Sequence, residues 1–150
     1  MSGMYEDLKG PEIPGLLGED SILLLPIGAI EQHGPHLPLS VDFIIAEETA
    51  RAVLDQCRDD VDIWLLPTLP ISKSNEHDWS AGTISLSNET LMATLDDIGR
   101  SVAETPARKL VFLNGHGGNT TMLATALREI RVKYSLQTFL MHPSLPPAYG

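Results

Sequence analysis

Residues 21–30, Ser21-Ile22-Leu23-Leu24-Leu25-Pro26-Ile27-Gly28-Ala29-Ile30, form a continuous apolar run that ends directly in Glu31-Gln32-His33-Gly34-Pro35-His36. An apolar run without alternation predicts a strand buried on both faces, as parallel sheets require. Beyond it the period changes. Residues 41–57 take helical spacing, with Ile44, Ile45, Thr49, Ala52 and Val53 expected on the apolar side and Glu47, Glu48, Arg51 and Asp55 largely on the other. Residues 61–66 predict a second strand, closed by Pro67, and residues 72–85 a polar loop long enough to be functional. Ser87 reads as an N-cap with Glu89 in the first turn, ahead of helical spacing over 91–102. Residues 109–113 predict a third strand, 120–134 a helix with Leu123, Leu127 and Ile130 on one face, and 136–141 a fourth strand. Residues 1–20, rich in Gly, Pro and acids, are expected to be an irregular arm. Strands alternating with helices imply right-handed crossovers and an open, mostly parallel α/β sheet of at least four strands.

The 150 residues are 43% hydrophobic and carry 10 basic against 20 acidic side chains, a net charge of −10. That length suits one domain with its own core. The deficit of Lys and Arg argues against a nucleic-acid partner and against anionic membrane surfaces. No apolar run approaches the ~20 residues of a membrane span. Glu19 and Asp20 precede the first run where a signal peptide would carry positive charge. The single cysteine, Cys57, has no partner for an intramolecular disulfide and is expected to be a small core residue. A cytoplasmic location is the default expectation.

In open α/β sheets ligands bind beyond the carboxyl ends of the strands. After the first strand come Glu31, His33, His36 and Asp42; after the third comes Asn114-Gly115-His116-Gly117-Gly118-Asn119, a histidine in a glycine-rich turn that opens a helix. Carboxylates and neutral imidazoles are ligands for zinc, manganese or iron, and there is no set of thiols for a closed structural site. Glu31 and His33 are one residue apart, so in an extended segment both face the same way. An acid placed to touch two ions, as Asp42 is by this reading, suits paired-metal hydrolysis of a carbonyl compound. The candidate metal ligands are therefore Glu31, His33, Asp42 and His116. Two blander readings stand beside this one. Residues 115–119 could form an anion-binding turn at a helix N-terminus, although the lysine of a P-loop is absent, and Asn119 reads as the cap of the next helix.

The motifs E-Q-H-G-P-H-L-P with Asp42, then Glu76-His77-Asp78-Trp79-Ser80-Ala81-Gly82-Thr83-Ile84, then N-G-H-G-G-N, resemble the signature of the creatininase (creatinine amidohydrolase) family in order and over most of the chain. The resemblance implies a Rossmann-like three-layer α/β sandwich and a hydrolase of amide C–N bonds in small, often cyclic, non-peptide substrates. It also implies two divalent ions, zinc, manganese or iron. Carried over, Glu31 and His116 would hold one ion, His33 the other, and Asp42 would bridge. Homo-oligomers, frequently hexamers, are expected. His36 and the 76–83 loop match positions near the site without an assigned chemical step, and no catalytic residue is assigned.

Two departures shape the expectation. Gly118 stands where creatininase itself has an acidic ligand. The family's chains also continue into an H-A-G-E type motif that would supply a further ligand and the general acid, so a C-terminally truncated single domain over 1–150 is expected. His142, after the fourth strand, is a candidate substitute but reads as a loop start. The alternatives are a peptide-trimming member of the mycofactocin type, a member opening a formamide-bearing pyrimidine, a non-catalytic metal- or partner-binding paralogue, and a nucleotide binder using residues 115–119.

Overall fold

The apolar run at 21–30 builds the central strand of a parallel sheet in the computed structural model, which describes residues 2–144. The strands are β1 (Gly3–Met4), β2 (Ile22–Ile27), β3 (Ile63–Leu65), β4 (Lys109–Asn114) and β5 (Gln137–Met141). Their order is β1-β3-β2-β4-β5, and every neighbouring pair is parallel. Among the described residues four α-helices accompany them: α1 (Ile13–Leu16), α2 (Val41–Cys57), α3 (Asn88–Ala103) and α4 (Thr120–Tyr134).

Alternation along β2 sorts its side chains into two cores. Leu24 joins Ile63, Leu65, Val111 and Leu113 beneath Ala50 and Leu54 of α2. Leu23, Leu25 and Ile27 join Leu110 and Phe112 beneath Leu91 and Leu95 of α3 and Leu123, Leu127 and Ile130 of α4. The expected three-layer α/β sandwich results, with α2 on one face and α3 and α4 on the other. Each fully buried Leu contributes roughly 1.5–3 kcal/mol. Ser87 caps α3 as its type predicts, its Oγ accepting from the Thr90 N–H at 3.1 Å.

The structure differs from the sequence reading in four places. The 1–20 arm is ordered: β1 pairs with β3, and the Ser2 hydroxyl accepts from the Ile63 N–H and donates to the Val61 carbonyl, pinning the chain start to the sheet. The first strand stops at Ile27, because Gly28 turns toward Leu69 and Ile30 bridges Ile84 in antiparallel fashion. On α2 the buried row is Asp42, Ala46, Ala50 and Leu54, whereas Ile44 and Ile45 are 44% and 41% exposed. Small residues lie inward there because the helix sits close to the sheet. A Cβ on Gly28 would reach within 2.6 Å of the Phe43 nitrogen, and one on Gly115 within 2.5 Å of the Asp42 carbonyl oxygen. Finally, Cys57 is only half-buried, at the end of α2.

The chain leaves β2 toward α2 and β3 on one side, and returns from α3 to β4 on the other. The carboxyl ends of β2 and β4 therefore adjoin at the point where the strand order reverses, where α/β folds open a ligand crevice. No described helix is long and apolar enough to cross a membrane.

Candidate metal centre

Three separate segments deliver the site. The loop after β2 brings Glu31 and His33, the first turn of α2 brings Asp42, and the loop after β4 brings His116. Gly28 and Gly115 let both strand ends press against the first turn of α2, so Asp42 is held between them by backbone contact. Glu31, Asp42 and His116 are all buried, and one ligand atom from each lies within 4.8 Å of the others. His33 completes the group: its Nε2 is 3.2 Å from Asp42 Oδ1 and 3.9 Å from Glu31 Oε1.

Proton bookkeeping at the rings shows what the group lacks. His33 Nδ1 lies 3.2 Å from the Glu31 carbonyl oxygen, which can only accept, so Nδ1 bears the hydrogen. In the neutral ring Nε2 then turns a lone pair toward the Asp42 carboxylate. His116 Nδ1 is 2.9 Å from Asp42 Oδ2, while its Nε2 sits 3.3 Å from Glu31 Oε2 and 3.2 Å from Glu76 Oε1. Even so, His116 Nε2 and Asp42 Oδ2 are buried without a hydrogen-bond partner. Buried polar atoms without partners are rare and expensive. Lone pairs and carboxylate oxygens converging on one spot fit a cation, and the N/O donor set fits zinc, manganese or iron. A backbone carbonyl holding the far nitrogen of His33 is the arrangement that orients metal-binding imidazoles. Asp42 also presents one oxygen to each ring, Oδ1 to His33 and Oδ2 to His116.

Burial works against a charged His116, but the close approach of Asp42 and the fields of Glu31, Asp42 and Glu76 outweigh it, holding its pKa above the ordinary 6.5. Burial likewise opposes ionisation of Glu76; hydrogen bonding to its own backbone and the Lys73 ammonium at 3.0 Å prevail and keep its pKa below the usual value.

The supporting residues were not legible in the sequence. Ser74 Oγ donates to Glu31 Oε2 in a short buried hydrogen bond. Asn114 Oδ1 accepts from the His116 N–H at 3.2 Å, shaping the turn. Gln32 links the Gly34 N–H to His77 Nδ1, at 2.9 and 3.1 Å. The expected cap role of Asn119 does not hold: its side chain makes no capping bond and instead donates to Ser72 Oγ at 2.9 Å. His142 meets Asn114 Nδ2 at 3.4 Å, away from the carboxylates, and His36 is exposed. The anion-turn reading of 115–119 also weakens, because the Glu76 carboxylate stands against Gly118.

The same motifs lie within a family match, described as Creatininase: Creatinine amidohydrolase, that extends over residues 6–147. The chain belongs to the creatininase family. It is 45% identical over 119 residues to a mycofactocin precursor peptide peptidase of Mycobacterium ulcerans (strain Agy99), covering 74% of this chain and 46% of that protein. It is 35% identical over 121 residues to a creatinine amidohydrolase of Pseudomonas putida, covering 75% and 45%. The chain thus spans just under half the length of these curated relatives. Among solved structures, one titled "Creatininase Mn" matches with a TM-score of 0.72 at 32% identity, over 96% of this chain and 58% of that one. A Zn-Zn type creatininase mutant matches at 0.72 and 30%, over 99% and 62%.

Proposed function

We propose that the protein is a metal-dependent hydrolase of amide C–N bonds, in which Glu31 and His116 hold one divalent ion, His33 holds a second and Asp42 lies between them. The observation that carries this reading is a pair of buried atoms that make no hydrogen bond, His116 Nε2, which faces Glu31 Oε2 at 3.3 Å, and Asp42 Oδ2, which faces His116 Nδ1 at 2.9 Å. Divalent ions at such a site, when bound, supply polarisation of a carbonyl and activation of water. The chain's own residues do the positioning. Ser74 fixes the Glu31 carboxylate, and the Glu31 carbonyl fixes the His33 ring. Gln32 fixes His77: its Oε1 takes the Gly34 N–H, so its amide nitrogen donates to His77 Nδ1. The hydrogen on His77 Nε2 then lies 3.6 Å from Glu31 Oε1, where it can donate a hydrogen bond to a bound substrate.

For the substrate, we favour a peptide over a small cyclic amide. The relative named as a peptide peptidase is the more similar of the two, and Trp79, 75% exposed with its ring centroid 6.5 Å from that of His77, offers an apolar surface beside the site. The test is metal content by elemental analysis after loading with manganese or zinc, followed by assay against peptide amides and creatinine. His116→Ala should lose metal at one or both positions. Metal content unchanged by that substitution overturns the reading, and turnover of creatinine but no peptide overturns the substrate class.

A further inference from the structure

We propose that Glu76 is a further metal-ligating residue, its carboxylate entering the centre through the space that a side chain on residue 118 would occupy. The inference rests on the metal-centre reading above and adds a ligand from a fourth segment, the short 3-10 turn Asn75–His77. Three observations carry it. Glu76 Oε1 is 3.2 Å from His116 Nε2, the buried nitrogen without a hydrogen-bond partner, and Glu31 Oε2 faces the same nitrogen at 3.3 Å. A Cβ on Gly118 would overlap Glu76 Oε1 and come within 2.4 Å of His116 Nε2, so the inward carboxylate of Glu76 requires glycine at 118. The other oxygen, Oε2, is tied at 3.0 Å to Lys73, which leaves Oε1 as the oxygen aimed inward.

The neighbouring His77 does not compete for the role. Gln32 donates to its Nδ1, so the Nε2 that faces Glu31 carries a hydrogen and has no lone pair for an ion. Glu76 is therefore the group of the 72–85 loop whose free atoms suit a cation, with Lys73 neutralising it until an ion arrives.

The test measures manganese and zinc affinity of the full chain by competition with a chromophoric chelator, for the parent, Glu76→Gln, Lys73→Met and His116→Ala. Glu76→Gln keeps the shape and removes the charge; it should weaken at least one ion by tenfold or more, as loss of a metal-orienting group does at about 10–100-fold, and should alter the Mn(II) electron paramagnetic resonance spectrum. Lys73→Met should leave affinity unchanged or tighter. Were Glu76 only the ion-pair partner of Lys73, the two variants would weaken binding alike, and that result overturns the proposal. If His116→Ala abolishes binding while Glu76→Gln leaves it unchanged, Glu76 is not a ligand and the metal centre stands. If neither variant changes binding, the metal-centre reading itself falls.

Discussion

Gly115→Ala tests whether the fold and the centre are joined through the first turn of α2. A Cβ at 115 would sit 2.5 Å from the Asp42 carbonyl oxygen and 2.9 Å from Ala46 Cβ, against an ordinary contact of at least 3.4 Å. Loop and helix must part by about 0.9 Å, beyond the roughly 0.5 Å within which a site tolerates displacement of its groups. Overpacking of this kind costs about 1–3 kcal/mol. At this chain length each kcal/mol lowers Tm by about 2–4 °C, so a fall of roughly 2–12 °C is expected. Asp42 moves with the turn, so metal affinity should fall as well, by about 10–100-fold if the shift resembles loss of an orienting contact. Gly117→Ala is the internal control. It lies two residues along the same loop, a Cβ there meets nothing within 4 Å, and its effect should stay within about 0.5 kcal/mol. Thermal melts of the metal-free proteins and chelator competition on the loaded ones give both numbers. Equal behaviour of the two variants, or a destabilised Gly115→Ala with parental metal affinity, would refute the idea that α2 is clamped through Asp42.

Two further outcomes follow from the same geometry. The His116 pKa is raised in the metal-free fold, so this group stabilises that fold fully below its unfolded value of about 6.5, and the contribution is lost as pH rises through the raised folded value. An ion needs the neutral ring, so the rise in Tm produced by manganese should be small at acidic pH and grow as pH passes the raised value; a rise independent of pH between about 5 and 8 would contradict it. On α2, Ala50→Leu should cost about 1–3 kcal/mol by forcing the helix off the sheet, whereas Ile45→Gln on the half-exposed side should stay within about 0.5 kcal/mol. Denaturant melts read both, and the reverse order would restore the face first expected from hydrophobicity.

That reversal shows what kind of information the sequence carries. Strands and long helices were legible because apolar runs and periods report burial of whole segments: 41–57 and 120–134 match α2 and α4 in full. The inward side of α2 was not legible. Period arguments weight Ile44 and Ile45 by hydrophobicity, but near its N-terminal end the helix is held so close to the sheet that Ala46 and Ala50 face inward there, against the small backbone of Gly28 and Gly115. The arm at 1–20 was missed for a related reason. Its order comes from Ser2 bonding to residues about 60 positions away, and such tertiary bonds leave no local pattern.

The centre divides in the same way. Glu31, His33, Asp42 and His116 stood out because chemistry-bearing residues follow strand ends, and β2 and β4 adjoin at the reversal of strand order. Ser74 and Glu76 come from a loop whose relation to residue 31 is fixed by tertiary contacts, among them the bridge between Ile30 and Ile84, the Thr83 hydroxyl accepting from the Gln32 N–H and the Ser74 hydroxyl donating to Glu31. Spacing alone could not place them.

Three carboxylates, Glu31, Asp42 and Glu76, all lie within 3.3 Å of His116 nitrogens, and Lys73 is the one permanent cation bonded to any of them among the described contacts. Burying like charges together opposes folding unless positive charge is supplied. His116 answers part of that need by holding its proton, which is why its pKa rises against burial. A divalent ion would answer more of it, but only by displacing that proton. Proton and metal are therefore competing ligands for one electrostatic deficit. An ion present at 100 times its Kd would add about 2.7 kcal/mol to stability, a substantial share of the 5–15 kcal/mol that keeps an ordinary domain folded. On this argument the centre contributes to the fold as well as to the chemistry, and the clamp on α2 by Gly28 and Gly115 is the means by which the sheet holds Asp42 at the charge cluster.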